Sequence, residues 1–265
     1  MKSDNHKDIR YKTGLVLSGG AYRGVGQIGV LKALEERGIK PDIICGTSSG
    51  ALNAVLYASG YSPDEMYEIW EKEPMAKTLN IHLPKFGMLA HSKIGKLVKP
   101  YLRHERLEDL PLPVRLTASC LNDGRQKVFE QGDLVKILEA CCAFPFVFEP
   151  VEIDGLLYVD GGLVSNLPAE PLVGKCERLI GVSVNPVPFK ERLDGLTDTI
   201  YRTIWIGIES TVQKTREMCD WVIAPEEFGQ YGFMERRALP IFFNAGYEYT
   251  IRFLDERDLV ISQNG

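Results

Sequence analysis

A serine held between two glycines, with an apolar run before it and a helix after it, leaves a chain few folds to choose from. Here the run Asp42-Ile43-Ile44-Cys45 leads into Gly46-Thr47-Ser48-Ser49-Gly50, and the helix-like stretch Ala51-Leu52-Asn53-Ala54-Val55-Leu56-Tyr57-Ala58 follows at once. G-x-S-x-G in that setting is a nucleophile elbow, a strained turn that holds a serine hydroxyl clear of the sheet edge. Gly46 and Gly50 suit it because a Cβ at either position would crowd the adjoining strand or helix. Small residues gather in turns of every kind, so the rest of the chain has to decide what the turn is for.

The surrounding periodicity predicts alternating strands and helices. Thr13–Leu17 reads as a strand ending at Ser18-Gly19-Gly20, and a helix follows from about Gly24 to Glu36, with Val25, Ile28, Leu31 and Leu34 on one face and Gly38 as its C-terminal cap. Ser62-Pro63-Asp64-Glu65 has the form of a capping box opening a helix with Met66, Ile69 and Trp70. Residues 114–120 and 126–130 alternate like strands about the hairpin signal Asn122-Asp123-Gly124. A helix is expected from Asp133 to about Cys142, then a short strand Leu157-Tyr158-Val159 running into Asp160-Gly161-Gly162. A strand at Leu179–Val184, a long helix over 195–217, a strand at Trp221–Ile223 and a helix at Asn244–Glu256 complete the series. The pattern predicts an α/β fold of three layers, α/β/α, around a mostly parallel central sheet. No repeat or linker divides it, so residues 13–257 are expected to form one domain, with polar tails at 1–12 and 258–265.

Composition narrows the functions. A formal net charge of −5 argues against a general nucleic-acid binder. No apolar stretch reaches the length of a membrane span, and the polar start Met1–Asp8 has no signal-peptide apolar region, which points to a cytoplasmic protein. The six cysteines have no zinc-ligand spacing and read as core thiols, and nothing calls for a metal or other cofactor.

An acyl-transfer serine needs donors for the developing oxyanion and a base for its proton. Ser18-Gly19-Gly20-Ala21-Tyr22-Arg23-Gly24 joins a strand to a helix, and such a loop aims backbone N–H groups at one spot near a helix N-terminus. A dinucleotide loop is the competing reading. It would need glycine where Ala21 stands and an acidic residue after the second strand, where the elbow lies instead. Gly24 is followed by Val25-Gly26 and not by Lys-Ser/Thr, which excludes a P-loop. The four histidines are His6, His82, His91 and His104, so none follows Asp160 in the Ser…Asp…His order of an α/β-hydrolase triad. Asp160, ending a strand before two glycines, is the better candidate for the base, although Asp-Gly-Gly is also a common turn.

The three segments, strand–Gly-Gly-Ala-Tyr-Arg-Gly, strand–Gly-Thr-Ser-Ser-Gly and strand–Asp-Gly-Gly, resemble in order and context the patatin-like phospholipases, lipid acyl hydrolases with a Ser–Asp dyad. The resemblance extends through Ala140-Cys141-Cys142-Ala143-Phe144-Pro145 and Asp160-Gly161-Gly162-Leu163-Val164-Ser165-Asn166-Leu167-Pro168. It implies Ser48 as nucleophile, Asp160 as its base, and the Gly19, Gly20 and Ala21 amides as oxyanion hole, with Arg23, Gly24, Gly46, Gly50, Gly161 and Gly162 supporting the motifs. Arg23 is expected in a structural salt bridge. Ala21 departs from the family's usual third glycine, and alanine resists a positive φ. The same acyl-serine could pass to an alcohol (an acyltransferase), and a spoiled oxyanion hole would leave a lipid-binding scaffold.

One segment bears on the partner surface. Lys77, Lys85, Lys93, Lys96, Lys99, Arg103 and Arg106 face a single acid, Glu105, and alternate with Phe86, Met88, Leu89, Ile94, Leu97 and Val98. Such a basic amphipathic stretch at 77–106 fits peripheral contact with an anionic membrane, or simply a solvated covering helix.

Overall fold

The computed structural model describes residues 8–73, 92–145, 147–187 and 189–263. Among them, strands β1 (Tyr11–Leu17), β2 (Ile43–Gly46), β3 (Val114–Cys120), β4 (Gln126–Phe129), β5 (Val151–Ile153), β6 (Leu156–Asp160), β7 (Cys176–Val182) and β8 (Trp221–Ile223) make one sheet. Helices α1 (Val25–Glu36), α2 (Ser49–Ala58), α3 (Pro63–Lys72), α4 (Ser92–Val98), α5 (Leu134–Cys141), α6 (Gly195–Arg216) and α7 (Leu239–Gln263) cover it. The order is β5-β6-β3-β2-β1-β7-β8, with β4 beside β3. From β3 to β8 the strands are parallel, while β4, β5 and β6 run antiparallel to their neighbours.

The layers are unequal. Leu15, Leu17, Ile44, Leu116, Ile180 and Val182 point to a large core shared with α1, α2, α3, α5 and α7. Alternate residues Val16, Ile43, Cys45 and Leu179 face a thinner layer made by Leu167, Leu172 and Val212 of α6. Central strands buried on both faces follow from parallel pairing, which leaves both faces for covering elements.

Local signals account for the boundaries. Ser62 and Glu65 form the reciprocal capping box, with Pro63 in the first turn of α3, and Met66 and Trp70 are buried beneath it. Gly38 takes φ 71° just past α1, and Gly124 takes the same φ in the β3–β4 hairpin. Three expectations need correction. β5 was not expected: Asp154 and Gly155, with φ 52° and 78°, make the tight turn that pairs it with β6. α7 begins at Leu239, because Pro240 lies in its first turn, where its missing N–H costs nothing. It also runs on to Gln263, so the residues set apart as a C-terminal tail continue the helix. All six cysteines are free thiols. Among the described residues no helix is long and apolar enough to cross a membrane.

The pairing of β3 brings the site together. Its Val114–Leu116 half pairs β2, its Ala118–Cys120 half pairs β6, and β4 takes the opposite edge over Leu116–Ser119. β2 and β6 therefore lie end to end along one edge of β3. β2 arrives at Gly46 opposite Leu116, and β6 arrives from the other direction at Asp160 opposite Ala118. The elbow and the aspartate meet where the two strands run out.

Candidate active site

Ser48 stands at φ 53° and ψ −126°, outside the regions open to most side chains, with its N–H donating to the Cys141 carbonyl at 3.2 Å. Such backbone strain costs about 1–3 kcal/mol and persists only where the surroundings enforce it. Here they do. A Cβ on Gly46 would lie 2.4 Å from the Gly50 carbonyl oxygen, and one on Gly50 would lie 2.3 Å from that of Leu17. The turn is wedged between α2 and β1, and only glycine fits at either end.

Asp160 is 3% exposed and held on several sides. Its N–H donates to the Ala143 carbonyl at 3.0 Å, its carbonyl accepts from Ser119 Oγ at 2.9 Å, and Oδ1 accepts from Gly162 N–H at 2.9 Å. Oδ2 has no hydrogen-bond partner among the described residues. Burial pushes the carboxyl up to about 6, against smaller opposite pulls from the Ser48 hydroxyl and the Gly162 N–H. Ser48 is thus near enough to favour the carboxylate, yet its hydroxyl does not complete a hydrogen bond of normal geometry to Oδ2. Such contacts commonly tighten only when substrate arrives. Gly161 lets the strands meet: a Cβ there would fall 2.4 Å from both the Thr117 carbonyl oxygen and Thr47 Oγ1.

The first loop differs from expectation in two respects. Gly19 donates its N–H to the Asn166 carbonyl at 3.2 Å, so it is not an open oxyanion donor. The N–H groups of Gly20 and Ala21 have no acceptor among the described residues. Ala21 does adopt the left-handed backbone that its Cβ disfavours, at φ 48°, at a cost of roughly 1–2 kcal/mol. Arg23, expected in a salt bridge, instead donates through Nη2 and Nε to the Tyr231 carbonyl at 2.6 and 3.3 Å. Burial lowers its pKa to about 10. It anchors the loop to the chain beyond β8 without a carboxylate.

A buried polar chain fixes this loop against the elbow helix, and the sequence reading missed it. Gln27 Nε2 donates to the Ser18 carbonyl, Asn53 Nδ2 donates to the Gly24 carbonyl and to Gln27 Oε1, and Trp70 Nε1 donates to Asn53 Oδ1, all within 2.6–2.9 Å. Asn185 Nδ2 donates to the Gly19 carbonyl from the far side. The signal for the first two was available: an amide on each of two otherwise apolar helical stretches has to find partners indoors. Gly24 belongs to the same packing, since a Cβ there would lie 2.6 Å from Ser49 Oγ.

Ser48, Asp160, Gly19, Gly20, Ala21 and Gly162 all border one cavity of about 280 Å³. Leu52, Phe144, Val147, Phe148, Trp205, Ile208, Phe233 and Met234 form most of its remaining wall. No described histidine reaches it, and His6, His82 and His91 lie outside the described residues.

The Patatin-like phospholipase profile matches residues 15–173, more than half of the chain and all three motif segments. The chain belongs to the patatin-like phospholipase family. An uncharacterized NTE family protein of Mycobacterium tuberculosis is 33% identical over 179 residues, spanning 66% of this chain and 49% of that protein. The patatin-like phospholipase domain-containing protein 6 of Mus musculus is 31% identical over 185 residues, 64% of this chain and 14% of its own length. The chain thus spans about half the length of the mycobacterial relative and a far smaller share of the mouse one. VipD from Legionella pneumophila is similar in fold, with a TM-score of 0.52 at 14% identity over 93% of this chain and 67% of that one.

Proposed function

We propose that this patatin-like chain hydrolyses carboxylic esters of phospholipids or related acyl lipids through a Ser48–Asp160 dyad. The observation that carries the reading is the convergence, on one largely apolar cavity, of a strained serine, a buried carboxylate with a free oxygen, and two open amides. Ser48 Oγ attacks the ester carbonyl and its proton passes to Asp160 Oδ2. The oxyanion rests on the Gly20 and Ala21 N–H groups. As the tetrahedral intermediate collapses, Asp160 returns the proton to the leaving alcohol, and water repeats the sequence to free the acid. An alcohol in place of that water would make the same groups an acyltransferase.

The wall chemistry and the rim suit a lipid. Met234, at the cavity edge, is exposed, as is Leu163 beside Gly162, and on α6 the exposed Leu196 (76%) and Ile200 precede the lining residue Trp205. The proposed contact with an anionic membrane through 77–106 draws on the basic side chains that the described residues leave exposed. Residues 77–91 lie outside the described residues, Arg103 stacks on Tyr61 and donates to the Ser59 carbonyl, and Arg106 pairs with Glu108, which leaves Lys96 and Lys99 exposed to meet a surface. Co-sedimentation with anionic vesicles should weaken as salt rises. Binding that is absent or indifferent to salt removes this contact.

A fluorophosphonate probe tests the serine directly. The expected result is covalent labelling at Ser48, with a rate that falls about tenfold per pH unit below roughly pH 6, because Asp160 must be ionised to accept the proton. An ordinary aspartate would hold that rate down to about pH 4. No label at Ser48 on the folded protein would reject the nucleophile, and a flat rate between pH 4 and 6 would reject a base with the raised pKa that burial gives Asp160.

A further inference from the structure

Asn166 occupies an unusual position in this cavity. It is 3% exposed, borders the space next to Ser48, and its Nδ2 has no hydrogen-bond partner among the described residues. A buried amide N–H without an acceptor destabilises the fold, and native proteins keep few of them without a use. The surroundings hold it in place nonetheless. The Asn166 N–H donates to Thr211 Oγ1 at 3.3 Å, and its carbonyl accepts the Gly19 N–H at 3.2 Å. Its Oδ1 fills the space that a Cβ on Gly19 or on Gly162 would need, 2.7 Å from either position. Two motif glycines are therefore glycine in part to admit this side chain.

The same residue that takes the Gly19 N–H out of the oxyanion loop carries an unpaired amide N–H of its own in the cavity wall. We propose that Asn166 Nδ2 is a third oxyanion donor, completing with Gly20 and Ala21 the set that Gly19 leaves one short. The inference rests on the Ser48 reading above. In the resting protein Nδ2 is buried and unpaired on a residue that lines the cavity. As the carbonyl becomes tetrahedral its oxygen gains charge and accepts from Nδ2, so the interaction strengthens in the transition state and raises kcat without tightening ground-state binding. No proton changes hands at Asn166. Asp160 Oδ2 is the competing acceptor, since it too is buried and unpartnered. In that case Asn166 would position the base and touch no substrate oxygen.

Asn166→Ala, Asn166→Asp and Ser48→Ala, assayed on one soluble acyl ester across pH 4–9, separate these roles. For Asn166→Ala the expected result is a fall in kcat of about 10²–10³, the usual effect of losing one oxyanion donor. KM should stay within about threefold, the acid limb should not move, and the melting midpoint should not fall, because an unsatisfied group has been removed. Asn166→Asp keeps the shape but has no N–H, and should be at least as slow. A kcat within about fivefold of wild type in folded Asn166→Ala overturns the proposal while leaving the Ser48 reading intact. So does a loss that comes with a displaced acid limb, which would identify Asp160 as the partner. Activity retained in folded Ser48→Ala overturns both.

Discussion

Asp160→Asn should abolish turnover and raise the melting temperature at once. The kcat loss is expected to reach about 10⁴ or more, as for a member of a catalytic unit, and Ser48→Ala should fall as far with little added loss in the double variant. The stability gain follows from the carboxyl that burial pushes up to about 6. Below its ordinary value of 3.8 the aspartate is protonated in both folded and unfolded chains and costs the fold nothing. As pH rises from about 4 to about 6 the unfolded chain gives up the proton first, so stability falls across that window and stays lower above it. A shift of about two pH units corresponds to about 3 kcal/mol, removed when a neutral amide takes the position. Thermal melts of both proteins at pH 4 and pH 8 check this: the variant should lead by several degrees at pH 8 and by little at pH 4. A variant less stable than wild type at pH 8 would contradict the buried, strained carboxylate.

The second large effect belongs to the crossing of α1 and α7. A Cβ on Gly29 would land 2.1 Å from the Phe243 carbonyl oxygen and 2.8 Å from the Tyr247 nitrogen, and one on Gly246 would land 2.0 Å from the Gly26 carbonyl oxygen. These neighbours are backbone, and no rotamer change clears them. Gly29→Ala must push the helices apart, against overpacking that commonly costs about 1–3 kcal/mol and more where nothing can yield. Tyr247 Oη donates to Glu36 and Arg37 pairs with Asp255 along the same crossing, so separation strains those contacts as well. Gly207 is the control. On α6 it has nothing within 4 Å of its would-be Cβ, and Gly207→Ala should stabilise by up to about 1 kcal/mol through helix propensity. Urea midpoints that moved equally in the two variants would mean that the crossing has more room than its backbone contacts imply.

The elbow, the capping box and the β3–β4 hairpin were legible in the sequence because each is written in residues a few positions apart. The contact of Gly26 and Gly29 with α7 was not, since two small residues on α1 say nothing about which helix, over two hundred positions later, will lie on them. The glycine loop was legible as a bundle of donors but not in its allocation. That Gly19 spends its N–H on Asn166 depends on where the chain returns after Asp160, a tertiary fact. Arg23 was misread for a similar reason: charge suggests a carboxylate partner, whereas burial beside a loop offered the Tyr231 carbonyl. Pro240 looks like a helix breaker in a string of letters and a helix starter only once the boundary is known.

The end-to-end meeting of β2 and β6 on β3 has a consequence for how this site can change. The gap between serine and aspartate is counted in ladder steps. A slip of β6 by one residue turns the aspartate to the other face of the sheet, and a slip by two carries it about 7 Å along the strand. Side chains along β6 can drift over time without moving the carboxylate, but its register with β3 cannot. The working distance is a whole number, and single-residue insertions within Leu156–Asp160 are the mutations it cannot absorb.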